Sequence, residues 1–324
     1  MRSAHAKFEA NGIKLYAVSY DDPKALREFA EAQGITYPLL SDQDSTVIAQ
    51  YGILNTQISP DDALIYGIPY PGVFVCDEDG LVVSKFFHDS YEKRDSPEAF
   101  IDAALGHIQI EEEVPQTSGG DEGIAITAAV RGGNSSLRQG IIRNLVVRFA
   151  LKDGLHLYGE PVPTGLTATQ VTILGPQDLQ CLPARYPPTT PLYHEIMDVN
   201  LNVWSDEVTI VVPFYPAGDL ATEAVAPATT SASIDFEVRY QACNEMECLL
   251  PRTERFSIDL PLDVVDVPSL SIHRGHGQRE GNYDSTPAMR RLLWRKIRTN
   301  PLRLLKLMWK TQQLKRSARK GHDG

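Results

Sequence analysis

The stretch Arg239 to Pro251 reads R-Y-Q-A-C-N-E-M-E-C-L-L-P and holds Cys243 and Cys248, two of only four cysteines in 324 residues. An alternating run, Ile234-Asp235-Phe236-Glu237-Val238-Arg239-Tyr240, leads into it and predicts a half-buried strand. Pro251 and a second run, Phe256 to Leu260, follow. The pair is therefore expected at the top of a β-hairpin at a sheet edge, where a partner thiol can reach it. Cysteines this close can bond if their Cα atoms come within about 4.4–6.8 Å. Three chemistries fit the pair. One is a reversible redox disulfide. Another is a structural bridge or two quiet thiols, a bridge implying an oxidising compartment. The third is half of a zinc site, but zinc wants about four ligands, and neither a second cysteine pair nor a His-x3-His spacing lies nearby. Glu245 and Glu247 disfavour a strongly acidic thiol, because negative neighbours raise a thiol pKa.

Y-Q-A-C-N-E-M-E-C-L-L-P resembles the active-site hairpin of the DsbD N-terminal family of thiol:disulfide interchange proteins. Leu155-His156-Leu157-Tyr158-Gly159 is similar to that family's G-x-H-x-Y segment, whose aromatic packs near the cysteines. Tyr240 and Pro251 fall where the family has Tyr and Pro. The resemblance covers Gly123 to Val265. It implies an immunoglobulin-like β-sandwich with Cys243 and Cys248 as the exchanging pair and a thioredoxin-like or DsbD-like partner. Some family members shield the pair with an aromatic cap loop, for which Tyr193 is the candidate here. His156 and Tyr158 are either polar residues satisfied at a strand end or groups beside the thiols, where a neutral His takes a proton during exchange.

The residues around the sandwich agree with it. Short alternating runs recur at Ile124 to Val130, Leu145 to Leu151, Thr167 to Leu174, Val208 to Phe214, Ser233 to Tyr240 and Phe256 to Leu260. Turns such as Arg185-Tyr186-Pro187-Pro188 separate them, which predicts a β-sandwich over 124–266. Residues 111–123 read as a polar linker.

The first 110 residues have another rhythm. Asn11-Gly12 closes a helix, Ile13 to Ser19 reads as a buried strand, and Asp22-Pro23 caps a helix that Gly34 stops. Tyr37 to Leu40 is a short strand, and Asp44 or Ser45 starts a further helix. Gly72 to Cys76 and Leu81 to Phe87 flank the turn Asp77-Glu78-Asp79-Gly80, and Ser96-Pro97 opens a last helix. That order is a thioredoxin-like α/β pattern. V-S-Y-D-D-P-K-A-L-R-E-F-A-E-A-Q-G-I-T-Y-P-L-L-S-D, at Val18 to Asp42, and G-I-P-Y-P-G-V-F-V, at Gly67 to Val75, resemble the redoxin or AhpC/TSA group of peroxiredoxin-like proteins. The reactive cysteine of that group follows its first strand, at the start of the first long helix. Here no Cys precedes Cys76, so the peroxidatic position has no counterpart. Either the chain is truncated at its N-terminus or the domain is a scaffold. Peroxide turnover is not expected. The resemblance makes Tyr70-Pro71 the candidate cis-proline facing a thioredoxin-type site. Cys76 reads as a small buried hydrophobe and Cys181 as a bystander.

Net charge is −11, unevenly spread. From Pro287 onward there are 12 Lys/Arg against the single acid Asp323, and the remaining 19 basic and 41 acidic residues leave the body at −22. An acidic body does not suit nucleic acid, and the tail calls for a partner of its own. Residues 267–285 read as a disordered linker. Over 286–318, Ser285-Thr286-Pro287 and Asn300-Pro301 each open a basic amphipathic helix, suited to a membrane surface or to an acidic protein face. Met1 to Gly12 lacks the apolar core of a secretory signal, and no apolar run reaches the ~18–20 residues that span a bilayer. The chain as written is expected in the cytoplasm; a truncated one is expected in the periplasm or at a membrane. No cofactor or metal is called for. The expected function is thiol–disulfide exchange through Cys243 and Cys248. The alternative is a non-catalytic interaction protein with a structural bridge.

Overall fold

The computed structural model describes residues 1–60, 66–88, 93–111, 113–194, 198–221, 229–244, 248–264, 286–299, 301–302, 309 and 312. They fall in two units, one holding Met1–Phe87 with the described residues of Ile272–Gly324, the other His88–Ser271.

In the first unit, α1 (His5–Ala10) buries Phe8 and ends at Asn11. β1 (Ala17–Ser19) pairs in parallel with β2 (Leu39–Ser41), and α2 (Pro23–Gln33) connects them. Pro23 sits where a helix needs no backbone N–H. Asp22 Oδ1 accepts from the amides of Lys24 and Ala25, and Gly34 closes the helix at φ +61°. α3 (Thr46–Gln50) buries Ile48, whose amide donates to Asp42 Oδ2. β3 (Gly72–Cys76) and β4 (Val82–Phe87) form an antiparallel hairpin. Gly72 is required there, because a Cβ would meet the Phe87 ring at 2.1 Å. The two strand pairs are separate ladders, and only Ala17–Ser19 of the predicted longer first strand has a pairing partner. α5 (Thr286–Thr299) belongs to this unit. The expected linker 267–285 and most of the second tail helix lie outside the described residues.

The second unit opens with β5 (Arg94–Asp95) and α4 (Pro97–Leu105). β6 (Gln116–Gly120), β7 (Ile124–Arg131), β8 (Ile141–Leu151), β9 (His156–Tyr158), β10 (Gln170–Gly175), β11 (Leu179–Cys181), β12 (Thr190–His194), β13 (Val199–Ser205), β14 (Glu207–Pro216), β15 (Ser231–Tyr240), β16 (Ala242–Cys243) and β17 (Arg252–Pro261) follow. One sheet runs β11-β14-β8-β7-β6, with β5 added beside β8. A second, β10-β15-β17, packs on it. Every other residue of β7 (Ile124, Ile126, Ala128, Val130) and of β8 (Leu145, Val147, Phe149, Leu151) enters a core shared with Ile234, Phe236 and Val238 of β15. Full burial of such a side chain contributes about 1.5–3 kcal/mol. A third sheet, β12-β13-β9-β16, carries His156, Tyr158 and Cys243.

Two elements lie apart from the expected boundaries. Residues 111–123 are not a plain linker, because β6 pairs with β7 from Gln116↔Ala129 to Gly120↔Ala125. The last helix of the expected first domain, α4, belongs with the sandwich. Asp102 accepts two 2.7 Å hydrogen bonds from the buried Arg131, and Glu98 Oε2 accepts from the Gly133 amide at 2.9 Å. Burial pushes the Asp102 carboxyl above its ordinary pKa even against the Arg131 charge. Cys76 is exposed rather than buried, since the Asp77–Gly80 turn leaves that strand end in solvent. Tyr70-Pro71 is trans; the cis bonds among the described residues are Glu160-Pro161 and Gly175-Pro176.

Candidate functional site

β15 and β17 pair in register from Ser231↔Pro261 to Tyr240↔Arg252, so residues 241–251 are the expected hairpin tip. That tip is not free. Its first part, β16, crosses to the third sheet, where Ala242 pairs with Leu157 and Cys243 with His156 on β9. Cys243 and Cys248 then face each other as an isolated antiparallel bridge. Neither is bonded, and their exposures are opposite: Cys243 is 1% exposed, while Cys248 is open to solvent.

β9 supplies the neighbours. Residues directly opposite on antiparallel strands share a face, as do residues two apart on one strand. His156, Tyr158 and Cys243 therefore lie on one side of the sheet. The Tyr158 hydroxyl stands 3.4 Å from Cys248 Sγ, and the Tyr158 ring meets His156 edge-on at 5.4 Å. Tyr158 is fully buried, in a small core with Leu201, Val203 and Cys243.

The electrostatics follow from burial. Desolvation first, and then the hydrogen bond to Cys248, push the Cys243 thiol up to about 12. Desolvation and bonds to both sulfurs raise the Tyr158 phenol, so it stays a proton donor. His156 moves the other way: burial and the nearby His194 charge lower it, which keeps the ring neutral at pH 7. Its Nε2 is buried without a hydrogen-bond partner among the described residues.

Of the expected site residues, Cys243, Cys248, His156 and Tyr158 are brought together. Tyr240 is not among them. It lies in the main sandwich core against Phe149, and its hydroxyl donates to Glu254 Oε1 at 2.6 Å. Pro251 is exposed just ahead of β17. Pro71 belongs to the other unit. Tyr193 is exposed on β12, and its hydroxyl donates to Asp198 Oδ1. Cys181 is exposed on β11.

Gln241 is a residue that sequence reasoning missed. Buried, it accepts from the Thr167 amide at 2.8 Å and donates to the Leu249 carbonyl at 3.0 Å. The Leu249 amide donates to the Ala242 carbonyl. These bonds hold the chain on both sides of the cysteines. The only signal was a polar Gln next to an apolar run.

Residues 134–260 match the family described as thiol:disulfide interchange protein DsbD, N-terminal. Residues 1–85 match the AhpC/TSA family. The chain thus resembles two redox families over separate stretches. "Putative peroxiredoxin MT2597" of Mycobacterium tuberculosis is 38% identical over 80 residues, 24% of this chain and 47% of that protein. Peroxiredoxin Q, chloroplastic, of Gentiana triflora is 29% identical over 108 residues, 33% of this chain and 44% of that protein. The chain spans about half the length of these curated relatives. The solved reduced DsbD n-terminal domain of Neisseria meningitidis shares 16% identity over 46% of this chain and 85% of that one. Its TM-score of 0.26 is too slight a likeness to carry an argument. The two family matches support a thiol–disulfide redox role. Among the described residues, no helix is long and apolar enough to cross a membrane.

Proposed function

We propose that the chain is a thiol–disulfide exchange protein acting through Cys243 and Cys248, with a thioredoxin-like or DsbD-like protein as partner. The single observation that carries this reading is the asymmetry of the pair, one sulfur exposed and one enclosed beside it. Exchange needs an entry sulfur and a resolving sulfur, and one open and one enclosed sulfur suit that division. In the reduced chain, the Cys248 thiolate attacks one sulfur of the partner's disulfide. A Cys248–partner bond forms, the partner's own bond breaks, and its second sulfur leaves as a thiolate that takes up a proton. Cys243 then attacks Cys248 Sγ, closing the internal bridge and expelling the partner's first thiol. Two electrons and two protons pass to the partner, and the reverse sequence reduces this chain.

Tyr158 would donate a hydrogen bond to the Cys248 thiolate. His156, neutral and facing Cys243 across the strand pair, would accept the Cys243 proton when that thiol attacks. Pro251 would end the loop and Tyr240 would anchor its base. The unit that matches the AhpC/TSA family would serve as a partner-facing domain. The basic C-terminal segment would be a docking element.

Redox titration followed by thiol alkylation tests this. Structural bridges typically lie below about −300 mV and exchange-active ones above it. A Cys243–Cys248 potential above that value is expected. A bridge that resists thioredoxin-range reductants favours the non-catalytic reading.

A further inference from the structure

α5 is mounted with its charged side inward. Arg291 reaches Glu28 at 2.7 Å and Asp22 at 3.6 Å, and Arg295 donates to the Tyr20 carbonyl at 2.9 Å. Residues four apart share a helix face, so these two arginines clamp the helix to the acidic N-terminal end of α2. The opposite face carries Arg290, Leu293, Trp294 and Ile297. Trp294 is 71% exposed and Leu293 37%, with the exposed Arg290 and Arg298 beside them. Farther along, Leu302 and Trp309 are exposed as well. An ordinary surface helix does the reverse, burying its apolar stripe and showing its charges.

We propose that this outward face binds the surface of an anionic bilayer, with Trp294 and Leu293 in the headgroup–acyl boundary. This gives the docking element proposed above its occupant. Three observations select lipid over a protein groove. Trp and Leu flanked by Arg match the composition of interfacial helices, where the indole sits at the headgroup level. The segment from Pro287 onward holds 12 basic residues and one acid, so anionic lipid attracts it. The body, at 19 basic and 41 acidic residues, is repelled by the same lipid. Attraction at one end and repulsion elsewhere orient the chain with α5 toward the membrane, and the Arg291 and Arg295 clamp keeps the apolar side available. The helix lies in the interface and does not span it.

The test is co-sedimentation of the full chain with phosphatidylglycerol–phosphatidylcholine vesicles, against vesicles of phosphatidylcholine alone, with tryptophan emission read in parallel. The chain is expected to pellet with the anionic vesicles only, to be released by high salt, and to shift its emission to the blue. Trp294→Ala is expected to lose most of the shift. The double variant Arg290→Glu, Arg298→Glu is expected to weaken binding by on the order of tenfold or more. All these substitutions fall on exposed side chains, and circular dichroism checks that the fold is kept. A Cys243→Ser, Cys248→Ser chain should bind vesicles unchanged, so failure of the exchange chemistry and failure of membrane binding are separate results. No pelleting, equal pelleting with neutral vesicles, or wild-type binding by Trp294→Ala overturns the proposal. So does a lipid-free dimer abolished by Leu293→Glu, which would make a second copy the occupant.

Discussion

At the scale of single residues, the two cysteines differ in environment. Cys248 is open and lies 3.4 Å from a phenol that remains protonated, while Cys243 is enclosed and pushed up to about 12. In the reduced chain at neutral pH, iodoacetamide should label Cys248 first and Cys243 only as the pH climbs toward that value, read by mass spectrometry of the peptides. Tyr158→Phe removes the hydroxyl but keeps the ring on His156. A hydrogen bond to a charged group is worth about 1.5–3 kcal/mol, so Cys248 labelling should slow by about tenfold or more. Rapid labelling of Cys243 at pH 7 contradicts this division. The sign of the linkage follows from the raised thiol. Its contribution to stability is present below the ordinary thiol value of 9.0 and is lost as pH rises toward 12. Urea unfolding of the reduced chain should show a loss across that window that Cys243→Ser does not.

At the scale of elements, the site is a hairpin tip captured by a second sheet. β15 and β17 were legible because Ile234, Phe236, Val238 and Tyr240 alternate with polar residues, and the alternation is the packing. The capture was not legible. β16 has two residues, and pairing with β9 is a long-range event that no local pattern announces. β13, V-N-L-N-V-W-S, alternates clearly but escaped reading beside its Pro-rich neighbours. The resemblance named His156, Tyr158 and Tyr240 alike; the first two lie beside the sulfurs, while Tyr240 packs in the sandwich core. Gln241 belongs to this scale too, because it holds both sides of the loop. Gln241→Ala takes the partner from the half-buried Thr167 amide and the Leu249 carbonyl, at about 0.5–1.5 kcal/mol for each hydrogen bond. Urea unfolding should show that loss, and the Leu249 amide should exchange hydrogen faster. Unchanged stability would mean that the loop is held by other bonds.

At the scale of the whole molecule, the order of predicted elements gives two domains, with the last helix of the first at Ser96-Pro97. α4 followed a thioredoxin-like order, so it was counted with the first domain. Burial decided otherwise, through Arg131 on Asp102 and the Gly133 amide on Glu98. Removing one partner of a buried ion pair costs about 3–5 kcal/mol. Asp102→Ala should therefore destabilise the His88–Ser271 unit and leave the β3–β4 hairpin's protection unchanged, as hydrogen exchange would report. Equal loss of protection in both units would contradict that division.

The most direct test of the exchange account is capture of its covalent intermediate. With oxidised thioredoxin as the probe, the Cys243→Ser chain should accumulate a reducible adduct through Cys248, because nothing remains to resolve it. Cys248→Ser should form none. An adduct through Cys243, or no adduct from either variant, would contradict the account.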